Sequence, residues 1–172
     1  MDPDAYLCQL AEIFNGISVN TPSLSAIIAI ILAGLLLLAS GFASASEIAF
    51  FSLSPSDLND IEEGNHPSDG KISNLLADSE RLLATILITN NFVNVTIIML
   101  CNFFFMNVFV FHSPLAEFLI LTVILTFLLL LFGEIMPKIY SAQKTLAFCR
   151  FSAPVIYVLR KVFAPISAVL VH

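Results

Sequence analysis

Three apolar stretches dominate this chain: Leu24–Phe50, Leu82–Met106 and Leu115–Met136. Each supplies the roughly 20 residues that a helix needs to cross about 30 Å of hydrocarbon. With 58% hydrophobic and only 12% charged residues, the chain lies well outside the composition of soluble domains. These features predict an all-α integral membrane protein, with three transmembrane helices and short juxtamembrane or interfacial helices. All seven Lys and Arg fall between the first two stretches or after the third. The positive-inside rule then puts the N-terminus outside and the C-terminus in the cytoplasm, as an odd number of spans requires. The chain divides into an extracytoplasmic segment (1–23), a three-span domain (24–141) with a helical cytoplasmic loop at about 54–81, and juxtamembrane helices (142–172). It reads as a piece of a longer protein.

The third span ends on LLLLFGEIMPK, which places a carboxylate, a glycine and a proline where a membrane helix tolerates them least. An ionisable group at that depth is expensive and usually faces a bundle interior or a wet cavity, so Glu134 is a candidate functional residue. Pro137 has no N–H and would strip the hydrogen bond from the Gly133 carbonyl four residues back. Gly133 has no side chain to cover that oxygen. A carboxylate and a bare backbone carbonyl side by side resemble the broken helices with which transporters hold cations.

Polar groups on the other two spans reach the same level. In the first, ASGFASASEIAF crowds small residues together, which lets another helix approach closely and suggests a dimer surface. Ser40, Ser44 and Glu47 share one face, with Ser44 as the candidate oxygen ligand and Glu47 snorkelling to the interface. In the second, Asn90 and Asn94 point the same way, whereas Asn102 and Asn107 read as interhelical hydrogen-bonding glue. Counted from the cytoplasmic boundary at 1.5 Å per residue, Ser44, Asn90 and Gly133 lie within about 6 Å of one level.

The remaining stretches carry less chemistry. AYLCQLAEIF suggests a short amphipathic helix, and Ser54, Pro55 and Asp57 form a capping signature. His66 reads as a turn residue in water. Beyond Tyr140, the runs Phe151–Leu159 and Val162–Val171 suggest amphipathic helices on the cytoplasmic leaflet, with Arg and Lys reaching headgroups. The acidic loop and net charge of −6 argue against nucleic acid. No H-E-x-x-H, G-x-S-x-G, Walker or Rossmann pattern is present, so no enzyme is expected. The donors Ser44, Asn90, Asn94, Gly133 and Glu134 are all hard oxygens, which suit Mg²⁺, Ca²⁺ or Na⁺ and disfavour zinc, copper and iron.

Three motifs, in order, resemble the CorC/CNNM family. FASASEIAFFSLS is similar to its F-S-x-x-E-T-A-L-x-S-L-S, and LLATILITNNFVNV to its L-L-x-T-x-L-I-G-N-T-L-V-N-I. FGEIMPK matches its G-E-I-x-P-K. Ala43, Thr89 and Asn91 depart from the pattern. The resemblance implies the dimeric membrane domain of a magnesium transporter or sodium-coupled exporter in a bacterial inner membrane. It also implies a cytoplasmic CBS-type regulatory region, absent here. Carried over by motif, Ser44, Asn90 or Asn94, Gly133 and Glu134 would surround a partly dehydrated Mg²⁺ in an inward-facing cavity. SEIAFFSLSPSD is similar to the gliding-motility-associated branch, which implies the alternative of a non-transporting membrane scaffold or accessory protein.

Overall fold

The structure is a computed structural model describing residues 17–111 and 114–170. Three helical stretches in it are long and apolar enough to cross a membrane: Leu24–Phe51, Ser79–Val108 and Glu117–Gln143. The protein is therefore a helical multi-pass membrane protein, as its apolar runs require.

Helix α1, Leu24–Phe51, opens where Ser23 accepts the Ala26 N–H at 3.2 Å. Two short helices follow, α2 (Pro55–Glu62) and α3 (Asp69–Leu76). The expected capping box on α2 is present in full: the Ser54 hydroxyl accepts the Asp57 N–H while the Asp57 carboxylate accepts the Ser54 N–H. The long α4, Ser79–Val108, returns across the bundle. The third crossing is composite: α5 (Pro114–Leu128), a π-helical segment (Leu129–Ile135) and α6 (Met136–Gln143). Helix α7 runs from Thr145 to Leu170.

Two strands, β1 (Ile17–Val19) and β2 (Phe109–Phe111), pair antiparallel at the end of the bundle away from the basic residues. The helical pattern did not predict them. Phe109, Val110 and Phe111 carry the β-branched and aromatic side chains that favour extended backbone, and pairing satisfies a chain that has just left α4. The expected helix around AYLCQLAEIF lies outside the described residues.

Two apolar clusters hold the fold. Ala33, Val93, Ile97, Cys101 and Leu125 join α1, α4 and α5 within the bundle. A second, at the basic end, includes Phe50, Ile61, Ile72, Leu75, Leu82 and, from α7, Cys149, Ala153 and Ile156. That second cluster corrects the reading of the last thirty residues. Instead of two separate stretches, α7 is one helix that passes through Pro154, with one face packed into the protein. Its arginines are engaged as well. Arg150 donates from Nε and Nη2 to Asp69 at 2.8 and 3.1 Å, and Arg160 reaches the Asn74 carbonyl at 3.0 Å and Asp78 at 3.3 Å. A forked guanidinium matched to a carboxylate in this way fixes orientation as well as distance.

Asp69 is only 1% exposed, and the Arg150 guanidinium holds its carboxyl below the usual carboxylate range despite the opposing effect of burial. Because the folded-state pKa is depressed, this stabilisation is complete above the unfolded value of about 4 and is lost as pH falls through the folded one. Thermal melts should therefore drop as pH is lowered below about 4. Asp69→Asn should lower the melting temperature at pH 7 and flatten that dependence. An unchanged acid slope in the variant would show that Asp57, lowered by the Ser54 hydroxyl, carries the effect instead.

Candidate functional site

The site begins with small residues. Ser40, Gly41, Ala43, Ser44, Ala45 and Ser46 of α1 are all buried within the chain, against α4 and the π-helical segment with α6. They serve packing within one chain. At Gly41 the approach is closest. A Cβ there would stand 2.9 Å from Pro137 Cγ and 3.3 Å from the Phe132 carbonyl oxygen. Below it, Ser141 donates to the Ala45 carbonyl at 2.6 Å, and Glu47 pairs with Lys138 at 3.1 Å rather than snorkelling alone.

Pro137 breaks the third crossing as expected, but in a different register. Through the π-helical segment the N–H groups bond five residues back, Met136 to Leu131 among them. Pro137 thus supplies no donor to Phe132 in that register and none to Gly133 in the α register that follows. The expected bare carbonyl at Gly133 gains a neighbour in Phe132, whose oxygen faces the space over Gly41. π-Helical turns of this kind recur at functional sites.

Against this break stands Ser40. Its hydroxyl lies 2.9 Å from Asn90 Oδ1 and 2.6 Å from Asn94 Oδ1, and a Cβ on Gly133 would come within 3.2 Å of it. Ser40, Asn90, Asn94 and Gly133 are thereby brought together from all three crossings. A hydroxyl has one proton, so it can serve only one of the two amide oxygens at a time. Asn91, the neighbouring amide, is exposed, which leaves Asn90 and Asn94 as the pair facing inward.

Ser44, the serine singled out from sequence, is fully buried one turn along the same face, and its hydroxyl has no hydrogen-bond partner. An orphaned buried hydroxyl is uncommon and calls for a ligand, ion or water. Glu134 is half-buried directly after Gly133 and makes no hydrogen bond or ion pair with another described residue. Sequence reasoning passed over Ser40 although it shares the face of Ser44. The depth count could have found it, since Ser40 stands about as far from Leu53 as Asn94 does from Leu82.

Chemically, the cluster offers neutral oxygens, with the Glu134 carboxylate carried on the residue after Gly133. Among the described residues, no group of three or more His, Cys, Asp or Glu could hold a metal, so thiolate or imidazole sites are absent there. Of the outer amides, Asn107 donates to its own helix at Phe103, and Asn102 bonds no other described residue.

Comparison with known proteins agrees with this architecture. A curated relative, described as a UPF0053 protein of Haemophilus influenzae, is 32% identical over 130 residues. The aligned region covers 76% of this chain and 30% of that relative, so the chain spans under a third of its length. The family model for the cyclin M transmembrane N-terminal domain matches residues 30–172, from the first crossing through α7. The chain belongs to the CNNM family of membrane domains.

Proposed function

We propose that this chain is the membrane domain of a magnesium transporter or sodium-coupled magnesium exporter. Its cargo is a partly dehydrated Mg²⁺ held by Ser44, Asn90, Asn94, the Gly133 carbonyl and Glu134. The observation that carries this reading is the orphaned, fully buried Ser44 hydroxyl one turn along α1 from Ser40, whose own hydroxyl meets the amide oxygens of Asn90 and Asn94 next to Gly133. One carboxylate among neutral oxygens leaves a dication under-neutralised, so Mg²⁺ keeps some of its water and binds reversibly. A transporter needs that reversibility. Ser40 acts as a positioning residue, its hydroxyl holding the two amide oxygens toward one point. Within this proposal the protein is a homodimer in a bacterial cytoplasmic membrane, regulated by CBS-type domains of the longer chain.

A second reading has its own support. Ser40 already stands within hydrogen-bond distance of both amide oxygens, as a group that merely fastens helices would, and this favours a non-transporting scaffold. Millimolar Mg²⁺ separates the two: a transporter's membrane domain is stabilised against thermal unfolding and carries Mg²⁺ flux when reconstituted with its regulatory part. A scaffold responds to neither. Orientation is tested separately. A cysteine at His66 should react with an impermeant reagent only from the cytoplasmic side, and one at His112 only from outside; the reverse pattern would overturn the N-out arrangement.

A further inference from the structure

Toward the end of the bundle opposite the basic residues, α4 and α5 part around a groove of about 450 Å³. Asn102 lines it from α4, and Glu117, Thr122 and Thr126 line it from α5. These walls continue to the cation cluster. Asn94, Ile98 and Asn102 form one stripe of α4 at spacing i, i+4, i+8, and Ile98 belongs to the groove. On the other wall, Leu129 is both a lining residue and the first residue of the π-helical segment that carries Gly133. Ile98 and Leu129 are the apolar lining residues that stand nearest the cluster along the two walls.

The polar groups in the groove are unusually idle. On α4 the threonine hydroxyls return to the carbonyl one turn back: Thr85 at 2.7 Å, Thr89 and Thr96 at 2.8 Å. Thr122 and Thr126 do not, and neither they, Asn102 nor Glu117 bonds another described residue. Asn102, Thr122 and Thr126 lie within the crossings and Glu117 at their edge, all on one concavity otherwise lined by apolar side chains, and hydrocarbon offers such unspent groups no hydrogen bonds.

We infer that this groove is a water-filled vestibule for hydrated cations, reaching from the end opposite the basic loop to the Ser40, Asn94 and Gly133 cluster. Glu117 draws cations to its mouth, the idle hydroxyls and amide replace lost water, and Ile98 with Leu129 forms the barrier layer. The inference rests on the proposed cation site for its destination, while the presence of water in the groove stands independently.

Single cysteines test it, in sealed vesicles and with Cys8, Cys101 and Cys149 replaced by alanine. The cysteine thiolate, which forms in water and not in hydrocarbon, attacks the sulfur of a methanethiosulfonate and expels its sulfinate. Asn102→Cys, Thr122→Cys and Thr126→Cys should react with a cationic methanethiosulfonate, applied opposite the basic loop, at least about tenfold faster than Val123→Cys. Val123 is 64% exposed but lies outside the groove lining. Rates no faster than at Val123, or labelling only from the basic side, would overturn the vestibule; lipid or a second copy of the chain filling the groove gives the first result. The cationic reagent should outpace an anionic one, and Glu117→Gln should remove that preference. Equal rates before the substitution would overturn the assignment to cations. Because labelling reads water and not Mg²⁺, a chain that labels in this way yet binds no Mg²⁺ loses the magnesium reading and keeps the vestibule.

Discussion

Replacing Glu134 with glutamine is expected to abolish the Mg²⁺-dependent rise in melting temperature and the Mg²⁺ flux, while the protein melts as before without the ion. The physical reason is charge. Asn90, Asn94, Ser44 and the Gly133 carbonyl offer only dipoles, so Glu134 alone offsets part of a dication's charge inside the bundle. Removing one partner of a desolvated charge pair typically costs about 3 kcal/mol or more, roughly a hundredfold in affinity. Wild-type protein at ten times its dissociation constant gains about 1.4 kcal/mol from ligand, a shift of several degrees that the variant should lack. Asn94→Ala should lose part of the response, since one neutral oxygen of several is withdrawn and Ser40 keeps Asn90. If both variants retain the full Mg²⁺ response, the ion does not bind at the broken helix, and the fastener reading of the amides stands.

Gly41→Val is expected to produce the largest structural loss. A methyl at Gly41 would already stand 2.9 Å from Pro137 Cγ and 3.3 Å from the Phe132 carbonyl, and neither partner is the loose end of a flexible side chain. The proline ring and the backbone must move away from α1, carrying Gly133 with them and off Ser40. Overpacking of this kind costs about 1–3 kcal/mol, and here the displaced element is the π-helical segment itself. The variant should therefore melt lower and lose its response to Mg²⁺ together. Gly34→Ala is the control, because nothing lies within 4 Å of the added methyl. Alanine at Gly34 should be neutral or slightly stabilising, in keeping with its better helix propensity. Equal melting temperatures for the two variants would show that the close approach of α1 to Pro137 contributes little.

Much of this was readable from local chemistry. Span lengths follow from how many apolar residues occur in a row, so Leu24–Phe51 and Ser79–Val108 differ from the expected bounds only where capping residues extend a helix past the hydrocarbon. The capping box at Ser54 and Asp57 is settled within four residues. That Pro137 leaves carbonyls without a donor is a property of its ring. The spacing of Asn90 and Asn94 likewise puts both amides on one side of α4 in any helix.

What stayed hidden depends on groups far apart in the chain. Ser40 and Ser44 differ by only about 40° around α1, so which of them meets the amides is set by the helix's rotation. That rotation is fixed by Gly41 against Pro137 and by Ser141 on the Ala45 carbonyl. The π register adds Phe132 to Gly133 as a second carbonyl that Pro137 leaves without a donor, a shift that no local pattern announces. Arg150 and Arg160 looked like headgroup anchors, since nothing near them in sequence announces Asp69 or Asp78 as partners. The order of residues by itself determined a helical membrane protein with a proline-broken third crossing and amides at its depth, because length, periodicity and a missing N–H are local. Only the tertiary structure decided which oxygens face one another and which hydroxyl is left over, because that depends on how three helices rotate about their axes when their small residues pack.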